Sequence, residues 1–531
     1  MNNDNYKYGR YVNSKQETRW ATVDEIQSAG AYLNLAEEEY PAAGLPLLSD
    51  GKEAYVDDKD THSLIFGATG SKKTRLFCMP MLNMFAKAGE SFIVTDPKGE
   101  LYTKTSGLVE KKGYKTVVLN FRDIGKGDAW NPLALPYEMY RSGGQDEAIS
   151  MLNDFVSIIA EPQIKNTKDI FWPEMASSYA LANLLLLMEA GKEDEVHMAS
   201  LTKLCVANNE RYLQFLAKKM AADSIARINY EGIFSGATNT KKSIYAVLYG
   251  MLRVFNTQEK LTQMLSRNTI NMRNFGREKT AVYIIIPDEK TTYHFLVTTF
   301  IKQVYEVLIS EAQKEQDLKL PVRVNFVLDE FCNLPKIADM PSMISAARSR
   351  NMRFYLVAQS LHQLRSKYGE DADTIKGNCE NWVFLTSKEL DLLREISELC
   401  GNIMTTDKNK RRLISVSELQ RLDKERGEAL IMYGRQYPFI TGLADIDMYE
   451  CCQGYVPVEL KEQELPDVEI FSLFQLFLDV RAGRKACPFG SLLTTLEAES
   501  SDSLPEEIFD GDYMDEMEEF FNSEKPKKPT T

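Results

Sequence analysis

Directly after the apolar run Leu64-Ile65-Phe66 the chain reads Gly67-Ala68-Thr69-Gly70-Ser71-Lys72-Lys73-Thr74. This is the spacing of a phosphate-binding loop, G-x-x-x-x-G-K-[ST], with Lys72 standing where the second glycine belongs. A strand that ends in such a loop and then opens a helix aims backbone N–H groups at a polyphosphate. In this register the ligand lies along Gly67, Ala68, Thr69, Gly70, Ser71, Lys72 and Arg75. Lys73 reaches the β- and γ-phosphates, and the Thr74 hydroxyl takes Mg²⁺. The implied ligands are ATP and Mg²⁺. A lysine at the glycine position costs about 1 kcal/mol if its φ must be positive. Its ammonium also adds positive charge beside an anionic ligand, so the expectation is impaired but real nucleotide binding.

Three further groups could act on a bound polyphosphate. Residues 322–328 read as a strand ending in Asp329-Glu330. An aspartate there can hold the metal shell, and the glutamate beside it can polarise an attacking water. Alone, the pair is an acidic strand end of any α/β protein; with the loop, it reads as catalytic. Residues 354–358 form another strand, ending in Gln359-Ser360. That amide either orients water near a γ-phosphate or caps the helix that follows, and the sequence leaves both open. Between these strands lies Ala347-Arg348-Ser349-Arg350-Asn351-Met352-Arg353. It is either a source of an arginine finger for an adjoining subunit or a solvated basic face.

These groups need a scaffold. The chain has 531 residues, 44% of them hydrophobic and 26% charged, which suits two or three globular domains. Apolar β-rich runs alternate with helical stretches, so the fold class is α/β with a mainly parallel sheet. Strands are expected at 64–66, 91–95, 116–120, 280–286, 322–328, 353–357, 381–385 and 428–433. Residues 138–274 show helical spacing and read as an inserted all-α domain. The expected organisation is an arm at 1–50, irregular apart from a helix at 22–29 capped by Thr22 or Asp24. A nucleotide-binding domain follows in two parts, 51–137 and 275–465, then an aromatic-rich helix in 466–486 and an acidic tail at 487–531. Eight scattered cysteines without a C-x-x-C pair argue against a zinc site or disulfide framework and for a reducing cytosol. No apolar run approaches the roughly 18 residues of a membrane span. Net charge is −14, and residues 497–531 alone hold twelve acidic and three basic side chains. That balance disfavours a broad nucleic-acid-coating surface but allows a basic channel.

With these motifs in place, the chain resembles the hexameric coupling ATPases of conjugation and type IV secretion, the TraG/TraD class of the FtsK/HerA-like translocases. The resemblance rests on the loop at Gly67–Thr74, on Asp96-Pro97-Lys98-Gly99-Glu100 and on Trp130-Asn131-Pro132-Leu133. It continues through L-D-E-x-x-x-L-P at Leu328–Pro335, A-R-S-R at Ala347–Arg350 and A-Q-S at Ala358–Ser360. It covers roughly residues 15–460. It implies a RecA-like nucleotide-binding domain carrying a helical insertion, and six subunits around a DNA-filled pore. In that arrangement Lys73 and Thr74 bind nucleotide and Mg²⁺, and Asp329 and Glu330 serve hydrolysis. Gln359 senses the γ-phosphate, and Arg348 acts in trans. The implied partners are single-stranded DNA with its relaxase or relaxosome, and the type IV secretion channel. The implied place is cytoplasmic, peripheral at the inner face of the membrane. Two departures stand out. The family's usual N-terminal membrane-spanning helices are not found in this sequence, which implies either a soluble variant or a trimmed chain and makes a monomer in solution unsurprising, and Lys72 puts turnover in question. A substrate receptor with weak or no catalysis is the alternative. A motor for double-stranded DNA is disfavoured by the D-P-K-G-E signature and the missing winged helix. In the tail, Phe509, Tyr513, Met514, Met517, Phe520 and Phe521 alternate with carboxylates. That pattern suits either a segment that folds on a basic groove or a solubilising tail.

Overall fold

The computed structural model describes residues 18–165, 167–404, 409–463 and 467–490. Helix Val23–Ala29 opens it, with Thr22 and Glu25 closing a capping box, as expected. The remainder of the N-terminal arm differs from its expected irregular form. Strands β1 (Ala31–Asn34), β2 (Pro46–Ser49) and β3 (Glu53–Val56) make an antiparallel sheet in the order β1-β3-β2. Each strand has four residues, too short for periodicity to reveal, yet Leu33, Leu47, Ala54 and Val56 are fully buried.

The main sheet comprises β4 (Ser63–Phe66), β5 (Ser91–Asp96), β6 (Lys115–Asn120), β7 (Thr280–Ile285), β8 (Val324–Leu328), β9 (Met352–Ala358) and β10 (Asn381–Phe384). After the small hairpin of β11 (Asn402–Met404) and β12 (Lys410–Arg412), it is completed by β13 (Glu428–Tyr433) and β14 (Phe439–Gly442). Its order is β14-β13-β10-β4-β9-β8-β5-β7-β6. All pairs from β10 to β6 are parallel, and β13 and β14 add an antiparallel edge. The fold class is therefore α/β with a mainly parallel sheet. Every residue of β4, β5, β7, β8 and β9 is buried, as a sheet covered on both faces requires. Strand β14, four residues long, was not anticipated.

Between β6 and β7 the described residues form helices and no strand. Phe171–Ala190 runs through the centre of this layer, with Leu184, Leu185, Leu186, Leu187 and Met188 all buried. A helix apolar on every side can only be an internal one. The W-N-P-L stretch fastens the layer to the sheet. Trp130 packs edge-on against Phe300, Asn131 Nδ2 donates to the Val196 carbonyl at 2.7 Å, and Gln303 Nε2 donates to that of Pro132 at 2.9 Å.

Beyond β14 the chain crosses back over the molecule. Val458 N donates to Ser106 Oγ, Gln463 Nε2 to the Asp128 carbonyl and Phe471 N to Ser200 Oγ. The expected aromatic helix is Leu473–Arg481, whose Phe474 and Phe477 rings lie on Tyr212 and Phe215 of the helical layer. The acidic stretch expected at 487–531, from residue 491 onward, lies outside the described residues. No helix among the described residues is long and apolar enough to cross a membrane.

Candidate functional site

The phosphate loop leaves the C-terminal end of β4 and opens a turn of wide helix, Thr74–Cys78, continued by Met79–Ala88. Two glycines explain its shape. A Cβ on Gly67 would stand 2.4 Å from Ser71 Oγ and 3.1 Å from Lys73 Cγ, so the loop closes only over a bare Cα. Gly70 has φ +76°, the left-handed region glycine enters freely. The next residue but one shares that region: Lys72 has φ 67°. The strain expected at this position is therefore present.

The two consecutive lysines point apart. Lys73 turns into the loop, where its buried ammonium donates to the carbonyls of Gly67 at 2.6 Å and Ala68 at 3.4 Å and lies 3.9 Å from Glu330 Oε1. Lys72 turns outward to Glu425 Oε2 at 2.9 Å, with Asp445 Oδ2 at 3.9 Å. The charge expected beside the ligand is thus directed at two carboxylates instead. Arg75, expected along the ligand, likewise bonds to Asp445, through Nε at 3.1 Å, and to Asp447. The sequence offered no motif for these three acids, which lie some 350–370 residues from the loop.

Strand order explains how the remaining groups meet. Strand β9 lies between β4 and β8, so its end faces both the loop and Asp329-Glu330. Gln359 spans them. Its Oε1 accepts from Thr69 Oγ1 at 3.2 Å, and its Nε2 donates to Glu330 Oε2 at 2.7 Å. The helix that follows, Leu361–Tyr368, is capped by Ser360, whose hydroxyl accepts from Gln363 N. Of the two readings of Gln359, the cap therefore belongs to its neighbour. Asn333 Nδ2 also donates to Glu330 Oε2 at 3.2 Å. Glu330 itself has φ 54°, a second non-glycine left-handed residue in the same site. Such residues cost of order 1–3 kcal/mol each and persist where their surroundings fix them.

Thr74 Oγ1 donates to Asp329 Oδ2 at 3.0 Å, while Asp329 Oδ1 accepts from Glu330 N at 2.9 Å. Thr95 Oγ1 holds the Asp329 carbonyl at 2.8 Å. Burial, and then the adjacent Glu330 carboxylate, push Asp329 up to about 6, against the opposing pull of Lys73 and Thr74. A buried carboxylate beside a hydroxyl, with its charge disfavoured, is a donor pair suited to a hard divalent cation. The loop has spare donors as well. Ser71 is buried and its Oγ has no partner, and the N–H groups of Gly70, Lys72 and Lys73 donate to no acceptor among the described residues. The residues present fit an anion and a Mg²⁺ ion.

Arg348 is not part of this cluster. It sits in the turn Arg348–Arg350 before β9 begins, at the opposite end of the strands, about 20 Å away at the usual strand rise. It pairs there with Glu380 beside a cleft lined by Asp60, Lys319 and Arg323. Asp96-Pro97-Lys98-Gly99-Glu100 opens a helix, and the Asp96 Oδ1 atom is buried without a hydrogen-bond partner among the described residues. Asp96 Oδ2 accepts from Tyr102 N at 2.8 Å at the start of helix Glu100–Lys111, and Gly99 takes φ 75° to turn the chain.

A family model described as Type IV secretory system Conjugative DNA transfer matches residues 19–425. A conjugal transfer protein TraG of Escherichia coli is 22% identical over 416 residues, 72% of this chain and 63% of the relative. The chain thus spans less than two thirds of that relative's length. Plasmid coupling protein TrwB in complex with the non-hydrolysable GTP analogue GDPNP superposes with a TM-score of 0.57 at 15% identity, over 83% of this chain and 95% of that one. TrwB in complex with ADP and Mg²⁺ gives 0.53 at 15% identity, over 86% and 100%.

Proposed function

Because the chain belongs to the type IV secretory system conjugative DNA transfer family, we propose that it is an ATP-driven coupling protein. It recruits a relaxase–single-stranded DNA or protein substrate and moves it toward a type IV secretion channel. The convergence of Lys73, Thr74, Asp329, Glu330 and Gln359 on one edge of the sheet carries this reading. That TrwB was captured with nucleotide and with Mg²⁺ supports the choice of ligands.

In this proposal the loop N–H groups and Ser71 receive the phosphates, and Lys73 exchanges its carbonyl partners for phosphate oxygens. Thr74 and Asp329 hold Mg²⁺, which when bound neutralises charge on those oxygens. Glu330 accepts a proton from the attacking water, with Gln359 and Asn333 fixing its carboxylate. Arg348, remote from its own chain's site, reaches the site of a neighbouring subunit in a hexamer. DNA is held through its phosphates with little base specificity. The protein works at the cytoplasmic face of the membrane through its partners.

Purified chain should hydrolyse ATP, faster with single-stranded DNA, and Lys73→Ala and Glu330→Gln should abolish this. Absence of turnover by the parent under conditions where it is hexameric would overturn the motor. The left-handed Lys72 favours the second reading, a receptor with weak or no catalysis. A large gain of turnover in Lys72→Gly would identify that residue as the brake.

A further inference from the structure

The phosphate loop is tied to the antiparallel edge of the sheet by charges no part of the proposed reaction uses. Glu425 stands in the turn before β13, where its N–H is held by Asp423 Oδ1 at 2.9 Å. Asp445 follows β14, and its carboxylate accepts from Asp447 N as the chain turns. These two acids reach the loop on either side of Lys73-Thr74. Glu425 takes the Lys72 ammonium, while Asp445 takes Arg75 and lies 3.9 Å from Lys72. Lys72 is only 24% exposed at this point, and so is committed to the pair.

We propose that Glu425 and Asp445 are positioning residues of the phosphate loop. By gripping Lys72 outside the cradle they allow a lysine to stand at the glycine position and leave Lys73 as the single ammonium offered to the ligand. The inference rests on the nucleotide reading above. Its physical basis is the opposite directions of two adjacent lysines. Two ammonium groups turned into one small cradle repel, and a left-handed lysine needs something to hold it. Glu425 is 69% exposed, and an exposed ion pair alone shifts an equilibrium by no more than about fivefold. The bidentate, part-buried Arg75–Asp445 contact makes the clasp a network rather than one pair.

ATP affinity, measured with a fluorescent ATP analogue on the full chain, tests this. Glu425→Gln should weaken binding about threefold to fivefold at low salt, with the melting temperature unchanged and the effect lost at high salt. The same substitution in a Lys72→Gly background should do nothing, and the reversed pair Lys72→Glu with Glu425→Lys should recover most of the parent's affinity. Tighter binding in Glu425→Gln would overturn the inference. Equal effects of Glu425→Gln in the parent and Lys72→Gly backgrounds, or a Lys72→Met loss as large as that of Lys73→Met, would do the same. If the parent binds no ATP, the nucleotide reading falls and this inference with it. Binding without coupling between the two positions overturns this inference alone.

Discussion

Where β4, β8 and β9 end, five candidate side chains gather, each within about 4 Å of at least one other, and every one has a partner in the same chain. Where β9 begins, Arg348 has a half-exposed guanidinium paired with Glu380. The same strand thus joins the candidate site to an arginine that lies outside it. Geometry of this kind separates two sorts of candidate residue: those that meet within one copy and one that does not join them.

The sharpest break of this contrast is Arg348→Ala. If the arginine serves a neighbour, turnover by assembled subunits should fall about 10³-fold or more. ATP binding by the separate chain should stay unchanged in an equilibrium titration, and equal loss in both would place the arginine's role within its own copy. Glu330→Gln should reduce hydrolysis by about 10²–10⁴-fold while leaving ATP bound, as a filter-binding assay would register. Lys73→Ala acts one step earlier and should weaken ATP binding by about 10- to 100-fold, the value of one or two charge-assisted hydrogen bonds. Gln359→Ala removes a link rather than a reacting group. A fall of about tenfold in turnover with unchanged ATP affinity is expected, and a loss of affinity instead would make it part of the phosphate cradle.

Much of the built edge was legible because its chemistry is local. Loop, Asp329-Glu330 and Gln359 each follow an apolar run that reads as a strand, and strand ends in a parallel sheet share one edge. What periodicity could not supply was partnership across the fold. Nothing near Lys72 announces Glu425, and nothing near Arg75 announces Asp445; each pairing exists only once β13 and β14 have added to the sheet. The strands of the N-terminal arm and β14 were missed for a different reason, since four residues cannot establish a period. The most distinctive sequence signatures, at Asp96–Glu100 and Trp130–Leu133, turned out to hold a helix start and a layer junction. Distinctive spacing marked a demanding local shape at both places.

The segment that crosses back from the sheet to the helical layer has a mechanical consequence. Pinned at Ser106, Asp128 and Ser200 and anchored by the aromatic rings of its final helix, it behaves as a tie rod between the two parts. Tension applied to the helical layer is shared between these contacts and the Trp130 junction. A cut between Gln463 and Phe471, which parts the two sheet-side pins from the one at Ser200, is therefore expected to leave the fold standing and let the helical layer swing further for the same force.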